Sequence, residues 1–139
     1  LEGLAAPTPS RPLRVLLVED ETSNRISAAT MLRRHGHAVT EVENGQEALR
    51  ALGREPFDVV LMDIQMPVMD GLTATRHIRG GEVPGGVKDI PVIALTAYAL
   101  EADRERFLAA GMNDFVAKPF EIRTLLDTVD RVVARKRLN

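Results

Sequence analysis

The sequence predicts an α/β domain in which a five-stranded parallel sheet of order 2-1-3-4-5 carries helices on both faces. Short apolar runs alternate five times with segments of helical periodicity along the 139-residue chain. Strict alternation of this kind produces right-handed crossovers and a parallel sheet. Three of the runs are almost wholly apolar, as strands buried on both faces are, whereas the second run is half polar, as expected at a sheet edge.

The strands are predicted from the composition of these runs. The first, third and fourth are nearly continuous apolar segments, Leu13–Val18, Phe57–Met62 and Ile90–Leu95. The second, His37–Glu43, alternates apolar and polar residues and is predicted to be an edge strand. Phe115–Ala117 is a short fifth strand.

Helical spacing predicts the segments between the strands. Thr22–His35 places Ile26, Ala29 and Leu32 on one face, and Gly36 closes the helix. The next three helices are predicted at Gln46–Gly53, after the turn pair Asn44-Gly45, at Leu72–Arg79, and at Leu100–Ala110. The glycine-rich segment Gly80–Lys88 is predicted to be a loop. The closing helix is strongly amphipathic, with its apolar face formed by Ile122, Leu125, Leu126, Val129, Val132 and Val133.

Composition separates the N-terminal residues from the domain. Leu1–Pro12 contains three prolines within six positions and no apolar periodicity, which predicts either a linker or an unstructured tail. The domain is therefore predicted to span residues 13–137.

The overall composition excludes several classes of function. The chain has no cysteine, so it forms no disulfide and no thiolate metal site. Its formal net charge of −2 is unlike the clustered positive charge of nucleic-acid binders. No apolar run approaches the roughly 20 residues that span a bilayer, and the N-terminus is unlike a signal peptide. We expect a cytoplasmic domain with no direct membrane contact.

Polar residues follow four of the predicted strands. Glu19 and Asp20 come after the first strand, Asp63 after the third, Thr96 after the fourth and Lys118 after the fifth. In open α/β sheets, ligands bind beyond the carboxyl ends of the strands, where the strand order reverses. Carboxylates gathered there repel one another unless a cation joins them, and hard oxygen ligands suit Mg²⁺ or Mn²⁺. A site of this kind favours phosphoryl transfer, with Asp63 as the nucleophile.

The motifs around these residues closely resemble the receiver domain of two-component response regulators, from about Leu13 to Arg135. The matching segments are VLLVEDE (Val15–Glu21), VVLMDIQMPVMDG (Val59–Gly71), PVIALTA (Pro91–Ala97) and FVAKPF (Phe115–Phe120). The resemblance implies the flavodoxin-like (βα)5 fold and a phosphoacceptor function. Conformational switching on phosphorylation would then carry a signal.

The resemblance also implies a role for each acidic residue. Asp63 is expected to be the phosphoacceptor, modified to 4-aspartylphosphate by the phosphohistidine of a histidine kinase or a histidine phosphotransfer protein. Glu19 and Asp20 are expected to organise Mg²⁺, with the backbone carbonyl of Gln65 as a further ligand. Glu21 and Asp70 are predicted to begin helices instead.

Other residues are expected to read out the modification. Thr96 resembles the switch hydroxyl and Phe115 the aromatic switch residue of the family. Lys118 resembles the lysine that contacts the phosphoryl group, in a cis peptide with Pro119. The face formed by the fourth helix, fifth strand and fifth helix is expected to change shape and could serve as a dimer surface. Tyr98 departs from the small or polar residue common at its position.

Details of the motifs are similar to receivers attached to hybrid sensor histidine kinases, among them Asn24-Arg25 and the string ALTAYA at Ala94–Ala99. The parent would then be a histidine protein kinase, while the isolated receiver promotes only its own phosphorylation and dephosphorylation. Two alternatives are a stand-alone single-domain regulator and a non-phosphorylated pseudo-receiver. A dehalogenase-type phosphatase is disfavoured because Gln65 stands where a second aspartate is needed. The histidines His35 and His37 are expected at the surface, and none has the setting of a phosphodonor.

Overall fold

A computed structural model describes residues 12–97 and 100–138. Residues 1–11 of the predicted linker and Tyr98 lie outside this range, and the domain boundary at residue 13 stays a prediction. The described elements are, in chain order, β1 (Arg14–Val18), α1 (Thr22–Arg34), β2 (Ala38–Val42), α2 (Gly45–Arg54), β3 (Val59–Asp63), α3 (Gly71–Arg79), β4 (Val92–Thr96), α4 (Glu101–Ala109), β5 (Asp114–Ala117) and α5 (Ile122–Leu138). Within these residues, no helix is long and apolar enough to cross a membrane.

The sheet has the predicted order, β2-β1-β3-β4-β5, and its paired strands are parallel. Every residue of β3 and β4 is buried, whereas β2 at the edge is mostly half-buried. Alternating side chains build two cores, because successive residues of a strand point to opposite faces. Leu16 and Val18 face one core, which includes residues of α2, α3 and α4, and Val15 and Leu17 face the other, which includes residues of α1 and α5.

Side-chain caps fix where three of the helices begin. Glu21 accepts hydrogen bonds from the backbone N–H groups of Ser23 and Asn24, so it starts α1 as predicted. Asn44 and Asp70 cap α2 and α3 in the same way. After α1, the chain turns through Gly36 at φ 93°, a backbone conformation that favours glycine.

Two sequence predictions about side chains are wrong. Ile26 was placed on the buried face of α1, but its side chain is 52% exposed. The buried stripe is formed by Ala28, Ala29 and Leu32, and Ile26 lies well to its side at about 100° per residue. His37 was expected at the surface, yet it is buried and its Nδ1 accepts a hydrogen bond from the Leu13 N–H at 3.0 Å.

Candidate functional site

Three carboxylates meet at the carboxyl edge of the sheet. β1 and β3 are neighbours and pair Val18 with Met62, so the residues that end these strands come together. One carboxylate oxygen from each of Glu19, Asp20 and Asp63 lies within 4.8 Å of the other two. Glu19 and Asp63 are buried and Asp20 is exposed. The arrangement is the one expected for a divalent cation held between two strand ends.

Lys118 reaches this group from the end of β5. Its Nζ lies 2.6 Å from Glu19 Oε1 and 3.3 Å from Asp63 Oδ1. The Lys118 N–H donates to the carbonyl of Thr96 at 2.7 Å, which ties the β5 end to the β4 end. The Lys118-Pro119 peptide is cis. Lys118 therefore bridges two acids that come from different strands.

The electrostatics of the site favour more positive charge than Lys118 supplies. Burial and then the neighbouring carboxylate of Glu19 raise the pKa of Asp63 to about 7, although Lys118 opposes the shift. Burial alone would lower the pKa of Lys118, but Glu19 and Asp63 outweigh it and the pKa rises. Asp63 resists ionisation even though Lys118 lies beside it, because Lys118 is shared with Glu19. The negative charge of the carboxylates at this edge therefore exceeds the positive charge of the lysine.

The cavity at this edge suits a small, oxygen-seeking cation. It has a volume of about 230 Å³ and lies open to solvent beside Asp20, with a lining that includes Glu19, Asp20, Asp63, Gln65, Thr96 and Lys118. Carboxylate oxygens and an opening to solvent match the preferences of Mg²⁺, which binds through one or two carboxylates and retains several waters. The donor set therefore fits Mg²⁺ or the chemically similar Mn²⁺.

Thr96 and Phe115 lie on the same face of the sheet. Thr96 ends β4 and is buried, and it pairs with Ala117 while Ala94 pairs with Phe115. The half-buried Phe115 ring lies 6.4 Å from the ring of Phe107 on α4, at an interplanar angle of 58°. Phe115 is thus in contact with α4, the helix that follows Thr96 in the chain.

Close backbone contacts hold the loop after Asp63. The Gly71 N–H donates to the Ile64 carbonyl at 2.9 Å, and a Cβ at Gly71 would collide with the carbonyl oxygen of Asp63. From α2, the Gly45 N–H donates to the carbonyl of Met69 at 3.0 Å. The sequence predicts a turn at Asn44-Gly45 but does not reveal that Gly45 and Gly71 allow α2 and α3 to pack closely against the loop that carries Gln65.

A model of the response regulator receiver domain family matches residues 15–130 of the chain. The chain belongs to this family. Its Glu19, Asp20, Asp63 and Lys118 lie together as the motifs of a receiver predict. The structural neighbours of this receiver are CheY-like domains of the same flavodoxin-like fold.

Among curated relatives, the receiver is 40% identical over 126 residues to the sensor protein GacS of Pseudomonas syringae pv. syringae. The alignment covers 91% of this chain but only 14% of GacS. The chain thus spans a small part of the hybrid kinases that it matches, and its relation to them is that of a receiver region.

Two solved receivers resemble the structure. The receiver domain of the sensor histidine kinase PA1611 from Pseudomonas aeruginosa PAO1 has 43% identity and a TM-score of 0.79, covering 88% of this chain and 98% of that one. A magnesium ion is coordinated in its active site cleft. The receiver domain of Saccharomyces cerevisiae Ssk1, solved with the phosphotransfer protein Ypd1, is 27% identical with a TM-score of 0.80, covering 91% and 92% of the two chains.

Proposed function

We propose that this receiver takes a phosphoryl group from a phosphohistidine onto Asp63 in a reaction that depends on Mg²⁺ or Mn²⁺. The observation that carries the proposal is the meeting of Glu19, Asp20 and Asp63 within 4.8 Å, with the Nζ of Lys118 at 3.3 Å from Asp63. A phosphorelay role agrees with the family and with the hybrid kinases that the chain resembles. The same geometry disfavours a pseudo-receiver.

The proposed step is an in-line displacement. A carboxylate oxygen of Asp63 forms a bond to phosphorus as the bond from phosphorus to the donor's imidazole nitrogen breaks. The electron pair of that bond returns to the imidazole nitrogen, and a proton already on the other ring nitrogen, or one taken from solvent, makes the released donor a neutral imidazole. The divalent cation held by Glu19, Asp20, Asp63 and the Gln65 carbonyl would supply positive charge to the phosphoryl oxygens. Lys118 neutralises another of these oxygens.

Asp63 must be ionised in order to attack. Because burial and Glu19 hold its pKa near 7, a large part of the carboxyl groups is protonated at neutral pH in the cation-free protein. Positive charge brought to the site favours the carboxylate form. Two buried acids share one lysine here, so a divalent cation would supply the further positive charge that favours the Asp63 carboxylate.

The conformational response is proposed to run from Thr96 to Phe115. A phosphoryl group on Asp63 adds negative charge and strong acceptors, which would draw the hydroxyl of Thr96 inward from the end of β4. Phe115 lies on the same face and contacts Phe107 of α4. A shift of the Phe115 ring would therefore be passed to α4 and change the face formed by α4, β5 and α5.

The partner is proposed to be a phosphohistidine domain that docks beside the site. A cavity of about 470 Å³ lies between α1 and the loop that joins β5 to α5, and its lining includes Met31, Lys118, Pro119 and Phe120. Met31, which lines this cavity from α1, is 39% exposed. The receiver of Ssk1 was solved with a phosphotransfer protein, which supports the same kind of partner here. An apolar surface next to Asp63 would seat the donor helix.

The wider setting is also a proposal. We infer that the chain is the receiver region of a hybrid histidine kinase in the cytoplasm, the parent being a kinase that a membrane segment could anchor. Leu100, just before α4, and Leu108, on α4, are exposed, which supports the α4–β5–α5 face as a dimer surface. A stand-alone regulator is the alternative, and the gene sequence upstream of Leu1 distinguishes the two.

The experiment that tests the proposal compares two aspartate variants. The purified chain is incubated with acetyl phosphate and Mg²⁺, and bound phosphoryl is measured by intact mass. Asp63→Asn is expected to abolish labelling. Asp70→Asn is the matched control, because asparagine also caps a helix, and it should label as the wild type does. Labelling of Asp63→Asn at the wild-type rate would contradict the proposal.

A further inference from the structure

Arg25 occupies a position in α1 where an apolar residue is expected. The buried stripe of this helix is Ala28, Ala29 and Leu32, and Arg25 precedes them at the spacing i, i+3, i+4, i+7 that places all four on one face. The side chain of Arg25 is only 12% exposed. Charged side chains are rarely buried unless they are paired. The contacts of this guanidinium therefore show what it is for.

The guanidinium joins three elements. Its Nη1 donates a hydrogen bond of 3.0 Å to the backbone carbonyl of Glu19 at the end of β1. Its Nε lies 3.4 Å from Glu41 Oε1 on β2. Arg33, eight residues further along α1, also pairs with Glu41 at 2.9 Å, but its side chain is half exposed and its other hydrogen bond goes to the carbonyl of Val39. Arg25 thus differs from Arg33 in reaching the acidic loop.

The contact fixes the peptide that carries Asp20. The carbonyl of Glu19 belongs to the peptide bond between Glu19 and Asp20, so its direction sets where Asp20 begins. The rest of Glu19 is held by its own N–H on the Val42 carbonyl, by the Glu21 N–H on Oε2 and by Lys118 on Oε1. Arg25 supplies the remaining constraint, on the side of the peptide nearest Asp20.

We propose that Arg25 is a positioning residue for the divalent cation, which holds the Glu19–Asp20 peptide so that the Asp20 carboxylate faces Asp63. The inference rests on the proposed function, because it assigns a residue that orients the ligands of that cation. Partners that orient metal ligands are often as important to affinity as the ligands themselves. Arg25 acts through the backbone of Glu19 and does not touch the cation.

The sign of the effect separates positioning from simple electrostatics. If the charge of Arg25 were all that mattered at the cation site, its removal would lessen repulsion and strengthen Mg²⁺ binding. Glu41 compensates this charge at 3.4 Å, so little repulsion is there to relieve. If Arg25 positions the peptide, its removal must weaken Mg²⁺ binding. The two explanations predict opposite changes in the dissociation constant.

The test is a calorimetric titration of Mg²⁺ into the full chain and three variants, with thermal unfolding recorded on the same samples. Arg25→Ala is expected to raise the dissociation constant for Mg²⁺ about tenfold. Arg25→Gln keeps a neutral donor within reach of the Glu19 carbonyl and is expected to retain part of the affinity. Arg33→Ala removes a partner of the same Glu41 and is expected to leave the affinity unchanged.

The outcomes separate this inference from the function on which it rests. Wild-type protein that fails to bind Mg²⁺ would overturn the proposed function itself. Wild-type binding with equal or tighter binding by folded Arg25→Ala and Arg25→Gln would overturn only the role of Arg25. Labelling by acetyl phosphate adds a second readout: the rate of Arg25→Ala should approach the wild-type rate at saturating Mg²⁺, because the chemistry of Asp63 is intact.

Discussion

The ends of the parallel strands form an amino edge and a carboxyl edge of the sheet, and these two edges differ in how their polar groups are paired. At the amino edge, Asp58 accepts a hydrogen bond from the Arg14 N–H at 2.8 Å. Arg79 donates there to the carbonyls of Lys88, Ile90 and Gly111 and to the side chain of Asn113. At the carboxyl edge, the described residues place three carboxylates beside one lysine.

The difference shows which edge serves folding and which serves function. Buried polar groups normally find partners, because an unpaired one costs free energy. Arg79 follows this rule at the amino edge and closes the fold there, although among the described residues the buried Nε2 of His37 at that edge has no partner. At the carboxyl edge the acids outnumber the one lysine that pairs with them, and burial and Glu19 hold the pKa of Asp63 near 7. A cation bound at this edge is therefore expected to stabilise the folded protein.

The largest expected effect at the functional edge comes from Lys118→Ala. The variant should still bind Mg²⁺, because the three carboxylates remain, but it should lose the conformational response to phosphorylation. In the proposed mechanism Lys118 is the positive partner of the phosphoryl group, and its backbone N–H donates a hydrogen bond to the carbonyl of Thr96. Amide NMR spectra with and without acetyl phosphate measure the response. Lys136→Ala, which removes a surface pair with Asp89, is the control. A full response in Lys118→Ala would remove the lysine from the mechanism.

At the amino edge, Arg79→Ala is expected to lower the free energy of unfolding by about 2–4 kcal/mol, because four acceptors lose a charged donor at once. Chemical denaturation measures the change. Arg76→Ala on the exposed side of the same helix should change stability by less than about 0.5 kcal/mol. Labelling of Asp63 by acetyl phosphate should remain normal in folded Arg79→Ala. Equal stability of the two variants would show that the amino edge does not close the fold.

The opposite sign is expected for Asp63→Asn. Without Mg²⁺ at pH 8, this substitution should raise the free energy of unfolding by about 1–3 kcal/mol. A three-unit pKa shift implies roughly 4 kcal/mol. The expected gain is smaller because the asparagine that replaces Asp63 is also polar and buried. In the wild type, the folded pKa of Asp63 is raised from 3.8 to about 7. The folded protein therefore binds more protons than the unfolded chain between these values, and its stability falls as the pH rises through this window.

The gain from Asp63→Asn should accordingly be complete above pH 7 and shrink as the pH falls toward 4. At pH 8, excess Mg²⁺ should reduce this difference in the free energy of unfolding, because it stabilises the wild type. Thermal and denaturant unfolding across this pH range provide the measurement. A variant less stable than the wild type at pH 8, or a gain that does not depend on pH, would mean that the carboxyl edge holds no repulsion.

The smallest expected effect lies where the functional edge meets the core. Phe107→Leu should lower the free energy of unfolding by about 1 kcal/mol, because it replaces one of the two rings of the aromatic pair between Phe107 and Phe115. Leu108→Ala, at the exposed neighbouring position, should cost less. The amide shifts of α4 on phosphorylation should also diminish in Phe107→Leu. Unchanged shifts would place the coupling between Phe115 and α4 elsewhere.

The sheet could be predicted from the sequence because the composition of each strand segment indicates how deeply the strand is buried. The apolar segment Phe57–Met62 and the half-polar second strand indicated the strand order. That order places Glu19, Asp63 and Lys118 at one edge of the sheet. The receiver motifs gave the same residues independently. These predictions needed only local pattern and the geometry of parallel sheets.

Other features depend on contacts that no local pattern reveals. The contacts of Arg25 could not be predicted because a charged residue on a helix is ordinarily exposed, and its burial follows from the Glu19 carbonyl and Glu41. His37 was misplaced because its partner is a backbone N–H 24 positions away in the chain. The need for glycine at position 71 follows only from the approach of α3 to the carbonyl of Asp63.

The central claim is that acids from two strand ends, Glu19 and Asp20 after β1 and Asp63 at the end of β3, hold one divalent cation. A titration of Mg²⁺ followed by amide NMR tests it most directly. We predict that the amides of Glu19–Glu21, Ile64, Gln65 and Lys118 shift together along one saturable curve, and that Asp63→Asn weakens this curve. Shifts scattered over unrelated residues, or the absence of saturation at these positions in the wild type, would contradict the account.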